Sequence, residues 1–218
     1  MEERRHHHAR REAIKGSFWT LAGFGGSQVL RLVSNLVLAR LLFPEAFGLM
    51  ALVNVFMHGL QMFSDLGIGP SIIQNPRGEE PAFLHTAWTL QVLRGTALWF
   101  FACLLAWPVA HFYASGQVDA TVNSMMLVKI LPVVGFTAFL SGFNSMAIFV
   151  LNRRMRIARV TVMDLAAQLL SIASMLALAW FHRSVWALVS GWVIYSAACL
   201  VLSHLMLPGH RDRFAWNR

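Results

Sequence analysis

The segment Val185–Leu207 reads VWALVSGWVIYSAACLVLSHLML and decides the fold class. It contains no Asp, Glu, Lys or Arg. About 20 consecutive, mainly apolar residues are enough for an α-helix to cross the hydrocarbon core of a bilayer. The segment also lacks the two-residue alternation of apolar and polar side chains that a strand of a membrane barrel shows. We therefore predict a transmembrane helix here.

Five further apolar runs precede this segment, and each is long enough to span a bilayer. Breaks separate them, such as Phe43-Pro44-Glu45 and Gly67-Ile68-Gly69-Pro70, and we expect a kink at Pro132. The predicted fold is an all-α integral membrane bundle of six helices within residues 17–207, with basic segments at 1–16 and 208–218. The five earlier spans are Ser17–Ala39, Ala46–Leu66, Phe83–Ala110, Ser124–Val150 and Val160–Phe181.

Composition agrees with a membrane protein. Residues of the AVILMFWYC set make up 57% of the 218 residues, and the mean hydropathy is +0.56. Charged residues make up 13%, against about 25% in ordinary globular proteins. This composition excludes both a water-soluble globule and a disordered chain.

The positive charges border the predicted spans. With the N-terminus inside, the predicted inside segments hold 13 Lys and Arg residues, whereas the outside loops hold only Arg40 and Arg183. This bias predicts that both termini are cytoplasmic. It also accounts for the net charge of +8 without a nucleic-acid partner.

Polar residues inside the spans recur at helical spacing. Asn54, His58, Gln61 and Asp65 share one face of the second predicted helix, and shorter polar stripes mark other spans. Lipid cannot satisfy these groups, so we expect the stripes to face inward. They fit either helix-to-helix adhesion or a polar cavity. The other stripes are Gln28, Arg31 and Asn35; Gln91 and Arg94; Thr137, Ser141 and Asn144; and Asp164, Gln168 and Ser171.

Two arginines stand out because a charge deep in a bilayer is costly. At about 1.5 Å per residue, Arg31 lies about 21 Å and Arg94 about 16 Å into spans that start inside. We expect no acid at their depth, because Asp65 and Asp164 lie near the inner ends, where pairing with the Arg153–Arg159 loop is favoured. Lys129 lies nearer the outer end, where it can also snorkel. The pattern predicts a transporter or lipid-handling protein with an anionic substrate.

Three motifs resemble the polysaccharide-transport branch of the multidrug/oligosaccharidyl-lipid/polysaccharide flippase superfamily. The segment LARLLFPEAFG at residues 38–48 resembles the first hairpin of bacterial oligosaccharide flippases. FSDLGIGPSIIQ at residues 63–74 resembles the end of the second helix, and LNRRMRIA at residues 151–158 resembles the basic loop between the fourth and fifth helices. The family-motif residues are Arg40, Pro44, Glu45, Gly48, Asp65 and Gly67.

The resemblance implies a multi-pass protein of the bacterial cytoplasmic membrane. Such flippases move an undecaprenyl-pyrophosphate-linked oligosaccharide from the inner to the outer leaflet by alternating access between two helical lobes. The six predicted helices of this chain correspond to one lobe. We therefore expect the chain to be an N-terminal lobe that pairs with a second lobe or with a second copy of itself. The candidate substrate-binding residues are Arg31, Arg94, Gln28, Asn35, Asn54, His58, Gln61 and Lys129.

Two alternatives remain open at this point. One is a small homodimeric permease or exporter of anionic substrates, and the other is a non-transporting membrane partner of a polysaccharide assembly complex. We expect no enzymatic activity, no cofactor and no metal. The residues His58, His85 and His111 are scattered over three segments, and we expect no metal role for the consecutive histidines His6-His7-His8 in the N-terminal segment.

Overall fold

The structure is a computed structural model that describes residues 2–65, 67–115 and 124–207. These residues form helices and no strand. The predicted C-terminal segment 208–218 lies outside the described residues, and the predicted N-terminal segment 1–16 falls almost wholly within the first helix. The helices are α1 Glu2–Leu41, α2 Pro44–Phe63, α3 Ile68–Gln74, α4 Pro81–Ser115, α5 Ser124–Gly142, α6 Ala147–Arg153, α7 Ile157–Phe181 and α8 Trp186–Met206.

Four helices within the described residues are long and apolar enough to cross a membrane. They are α4, α5, α7 and α8, over Pro81–Tyr113, Met125–Gly142, Ile157–Phe181 and Trp186–Met206. The first two predicted spans lie on α1 and α2, which are not among these four. The protein is thus a multi-pass helical membrane protein, and six crossings stay a prediction.

The predicted fourth span, Ser124–Val150, is wrong as one continuous helix. It ends at Gly142, and a shorter helix, α6, begins at Ala147. The break is stable because neighbouring helices satisfy its backbone groups: Gln91 Nε2 donates to the carbonyl oxygens of Ser141 and Gly142 at 3.1 and 3.2 Å. The Ser145 N–H donates to Ser203 Oγ at 3.2 Å. Irregular backbone at membrane depth is tolerated where protein surrounds it in this way.

The second unpredicted element is α3, which follows the predicted break at Gly67. Gly67 adopts φ = 61°, a left-handed conformation that glycine tolerates without steric cost. Asp65 Oδ1 accepts a hydrogen bond from the Gly67 N–H at 3.0 Å and fixes this turn. As a result α3 packs against α6 and α4 instead of lying in an extended loop.

The long helices pack in the spatial order α4, α5, α8, α7, α1, with α2 beside α5 and α4. Their core is apolar, with Val53, Leu127, Ile130 and Val134 fully buried. Large apolar side chains such as Trp107 and Phe181 are exposed on the outside of the bundle, as expected for surfaces that face lipid.

Candidate functional site

Three adjoining cavities lie between the helices. The largest, which we call the central cavity, has a volume of about 660 Å³ and walls from α1, α2, α5, α7 and α8. The second, the Asp164 cavity, measures about 460 Å³ and shares Tyr195 and Ser196 with the central cavity. The third, the Arg94 cavity, measures about 450 Å³ and shares Gln61 with the central cavity. The shared lining residues show that the three cavities adjoin one another between the helices.

The central cavity brings together five of the eight candidate substrate-binding residues. The α1 stripe supplies two of them and the α2 stripe supplies three. Both stripes thus supply side chains to the lining of the same cavity, although the two helices are far apart in packing order. These five residues are Arg31, Asn35, Asn54, His58 and Gln61.

Arg31 is the cation of the central cavity. Its side chain is exposed, and among the described residues no group pairs with it by a hydrogen bond or an ion pair. Nearby, Gln168 Nε2 on α7 donates to the Ser27 carbonyl oxygen at 3.2 Å and fixes α1 one turn below Arg31. An arginine that has no partner among the described residues is available to an anionic ligand.

Arg94 occupies a different setting. Its Nε donates to Ser64 Oγ at 3.1 Å, its Nη2 donates to the Gln61 carbonyl oxygen at 3.3 Å, and its Nη1 lies 4.0 Å from Asp65 Oδ1. The expectation that Arg94 has no acid at its level is therefore wrong. Asp65 reaches it because α2 ends near Arg94. Arg94 holds the carboxyl end of α2, where backbone carbonyls lack helical partners.

The remaining two candidates lie elsewhere. Gln28 and Lys129 are exposed on α1 and α5, and neither lines any of these three cavities.

The family-motif residues lie mostly at helix ends. Arg40 is in the last turn of α1, Pro44 begins α2, and Glu45 is in its first turn. These charges suit the helix dipoles, which favour a cation at the carboxyl end and an anion at the amino end. Asp65 and Gly67 form the turn before α3, and Gly48 is exposed on α2.

The two aspartates predicted to pair with the Arg153–Arg159 loop have other partners. Asp65 lies beside Arg94, and Asp164 on α7 accepts a hydrogen bond from the hydroxyl of Tyr195 on α8. Sequence reasoning missed Tyr195, because a lone tyrosine in an apolar run produces no periodic signal.

Arg153 and Arg154 instead bind the end of α3 and the segment after it. Arg153 Nη1 donates to the carbonyl oxygens of Ile72, at 2.9 Å, and of Asn75. Arg154 donates two hydrogen bonds to the Glu79 carboxylate, at 2.6 and 3.2 Å. These bonds lower the pKa of Glu79 below its ordinary value and raise that of Arg154. The contacts tie the α3 connection to the α6–α7 connection at one end of the bundle.

Comparison with known proteins gives one family. A family model described as "Polysaccharide biosynthesis protein" matches residues 37–218. The match covers most of the chain. Of the helices that line the cavities, only α1 lies mostly outside the matched residues. No curated protein and no solved structure matches.

Proposed function

The chain belongs to this family of polysaccharide biosynthesis proteins, and we propose that it moves an undecaprenyl-pyrophosphate-linked oligosaccharide across the bacterial cytoplasmic membrane, either as a full-length flippase or as an N-terminal lobe paired with a second lobe or a second copy of the chain. The multi-pass helical architecture supports a membrane substrate. The central cavity is of the size at which proteins commonly bind small ligands, roughly 300–1,000 Å³. The family and the three motifs support a lipid-linked sugar as the substrate class.

The observation that carries the proposal is Arg31 in the lining of the central cavity, where no residue that the structure describes pairs with it. An arginine keeps its charge when it is desolvated, and its planar fork can donate two hydrogen bonds to one phosphate. Asn35, Asn54 and His58, which line the same cavity, add polar groups around the anion. We assign Arg31 to the pyrophosphate. Arg94 already contacts Gln61 in the last turn of α2 and Ser64 and Asp65 just after it, so we assign Arg94 to positioning the end of that helix.

We further propose that α1 and α2 cross the membrane with the other four long helices, with both termini cytoplasmic. The bias of 13 inside to 2 outside basic residues supports this orientation. The test replaces Cys103 and Cys199 by Ser and introduces single cysteines at Ser184 or Arg77. A membrane-impermeant maleimide added to intact cells is expected to label Ser184→Cys and not Arg77→Cys. The reverse pattern would overturn the orientation.

Translocation is tested with the purified protein reconstituted in vesicles that contain undecaprenyl pyrophosphate carrying a short oligosaccharide. A membrane-impermeant glycosidase added outside cleaves only the sugar in the outer leaflet. We expect the protein to make nearly the whole pool cleavable, whereas protein-free vesicles keep their inner-leaflet fraction.

Two other results would contradict this function. Uptake of a soluble organic anion with no movement of the lipid would favour the homodimeric permease. Neither binding nor movement of the lipid, by a protein that unfolds cooperatively on heating, would favour the non-transporting partner of an assembly complex.

A further inference from the structure

The Asp164 cavity continues the central cavity past Tyr195. The hydroxyl of Tyr195 donates to Asp164 Oδ1, and its side chain lines both cavities. Among the described residues that line this cavity, Asp164 is the only charged one, and no described residue forms an ion pair with it. An acid in a membrane-spanning helix without a cation needs other donors, because an ionised carboxylate accepts several hydrogen bonds. Its second oxygen, Oδ2, has none from the residues that the structure describes.

A second acceptor in this wall also lacks a donor. Asn144 Oδ1, in the break between α5 and α6, is buried without a hydrogen-bond partner within the described part of the chain. Buried polar groups are satisfied in the great majority of cases, so each exception requires an explanation. A rotation of the Asn144 side chain toward the cavity would offer this oxygen to a ligand. The hydroxyls of Ser141 and Ser196 complete a wall that is rich in acceptors.

The two cavities are arranged along parallel helices. Thr161 lies opposite Gly23, and Gln168 binds Ser27, so α1 and α7 run in the same direction. Asp164 is four residues before Gln168, and Arg31 is four residues after Ser27. At about 1.5 Å per residue, Asp164 and Arg31 are therefore about 12 Å apart along the helix axes. A pyrophosphate and the sugar attached to it can bridge this separation.

We propose that the Asp164 cavity binds the hydroxyl groups of the first sugar of the lipid-linked oligosaccharide, through Asp164, Asn144 and Tyr195. The inference rests on the proposed function, which assigns the pyrophosphate to Arg31. A sugar supplies hydroxyl donors, which are the groups that both unsatisfied acceptors lack. Its ring also presents C–H groups that pack against an aromatic side chain such as that of Tyr195.

The test compares two ligands: undecaprenyl pyrophosphate alone, and the same lipid carrying one hexose. Dissociation constants are measured by titration calorimetry with the full chain in lipid nanodiscs. We expect Asp164→Leu and Asn144→Leu each to raise the dissociation constant of the sugar-bearing lipid about tenfold, as for the loss of a buried hydrogen bond. The constant for the bare lipid should stay unchanged. Ser174→Ala is the control, because Ser174 on α7 donates to the Ser171 carbonyl oxygen of its own helix.

The two ligands separate the inference from the function on which it rests. If neither lipid binds the wild-type protein, the proposed function fails, and the inference fails with it. If both lipids bind and both leucine variants hold them as tightly as the wild type does, the sugar site is wrong and the pyrophosphate site stands. If Asp164→Leu does not fold, its affinity for the bare lipid is lost as well, and Asn144→Leu then decides the question.

Discussion

Replacing Arg31 by Gln is expected to raise the dissociation constant for undecaprenyl pyrophosphate about ten- to hundredfold. The range corresponds to about 1.5–3 kcal/mol for hydrogen bonds to a charged group. The effect is large because Arg31 is the only Lys or Arg among the described residues that line the central cavity. Arg31→Lys keeps the charge and loses the planar fork, so we expect an intermediate constant.

The measurement is titration of the lipid into the protein in nanodiscs, followed by the vesicle translocation assay. Arg183→Gln serves as the control, because it removes an exposed arginine that lines none of the three cavities. Wild-type affinity and translocation in Arg31→Gln would remove this residue from the mechanism. A loss of affinity that Arg183→Gln shares would point to general charge attraction instead of a site.

The sequence pattern predicts the cavity wall well, since helical periodicity is a local property. A polar residue at positions i, i+3 or i+4 and i+7 must share a face wherever the helix is placed. For that reason Arg31 and Asn35 on α1, and Asn54, His58 and Gln61 on α2, reach the same cavity. The break at Pro44 and the turn at Gly67 follow equally from local backbone chemistry.

The partners of the charged groups could not be predicted in this way, because they depend on relative helix depths. Helical periodicity does not set the depth of α2 relative to α4, so it does not predict that Asp65, just after the end of α2, lies beside Arg94. The break after Gly142 is not predicted from the sequence either, because apolar residues lie on both sides of it. That break depends on Gln91 and Ser203, which come from two other helices. Hydrogen bonds between residues that are far apart in the chain leave no periodic pattern in the sequence.

Gly95→Ala is expected to destabilise the whole bundle by about 1–3 kcal/mol, the usual cost of overpacking. A Cβ atom at residue 95 would lie 2.6 Å from the carbonyl oxygen of Ala138 and 3.1 Å from the Cα atom of Gly142. Both contacts are with the backbone of α5, so no side chain can turn aside to make room. The axes of α4 and α5 must then separate, which also moves the Gln91 amide from the carbonyls at the break.

Gly59→Ala on α2 is the matched control, because a Cβ atom there meets no atom within 4 Å. Alanine favours the helix over glycine by roughly 0.5–1 kcal/mol, so this variant should be as stable as the wild type or more so. The fraction of protein that stays monodisperse after heating in detergent, followed by size-exclusion chromatography, measures the difference. We expect Gly95→Ala to lose this fraction at a clearly lower temperature than Gly59→Ala. Equal midpoints for the two variants would mean that α4 and α5 do not approach as closely at Gly95 as the structure places them.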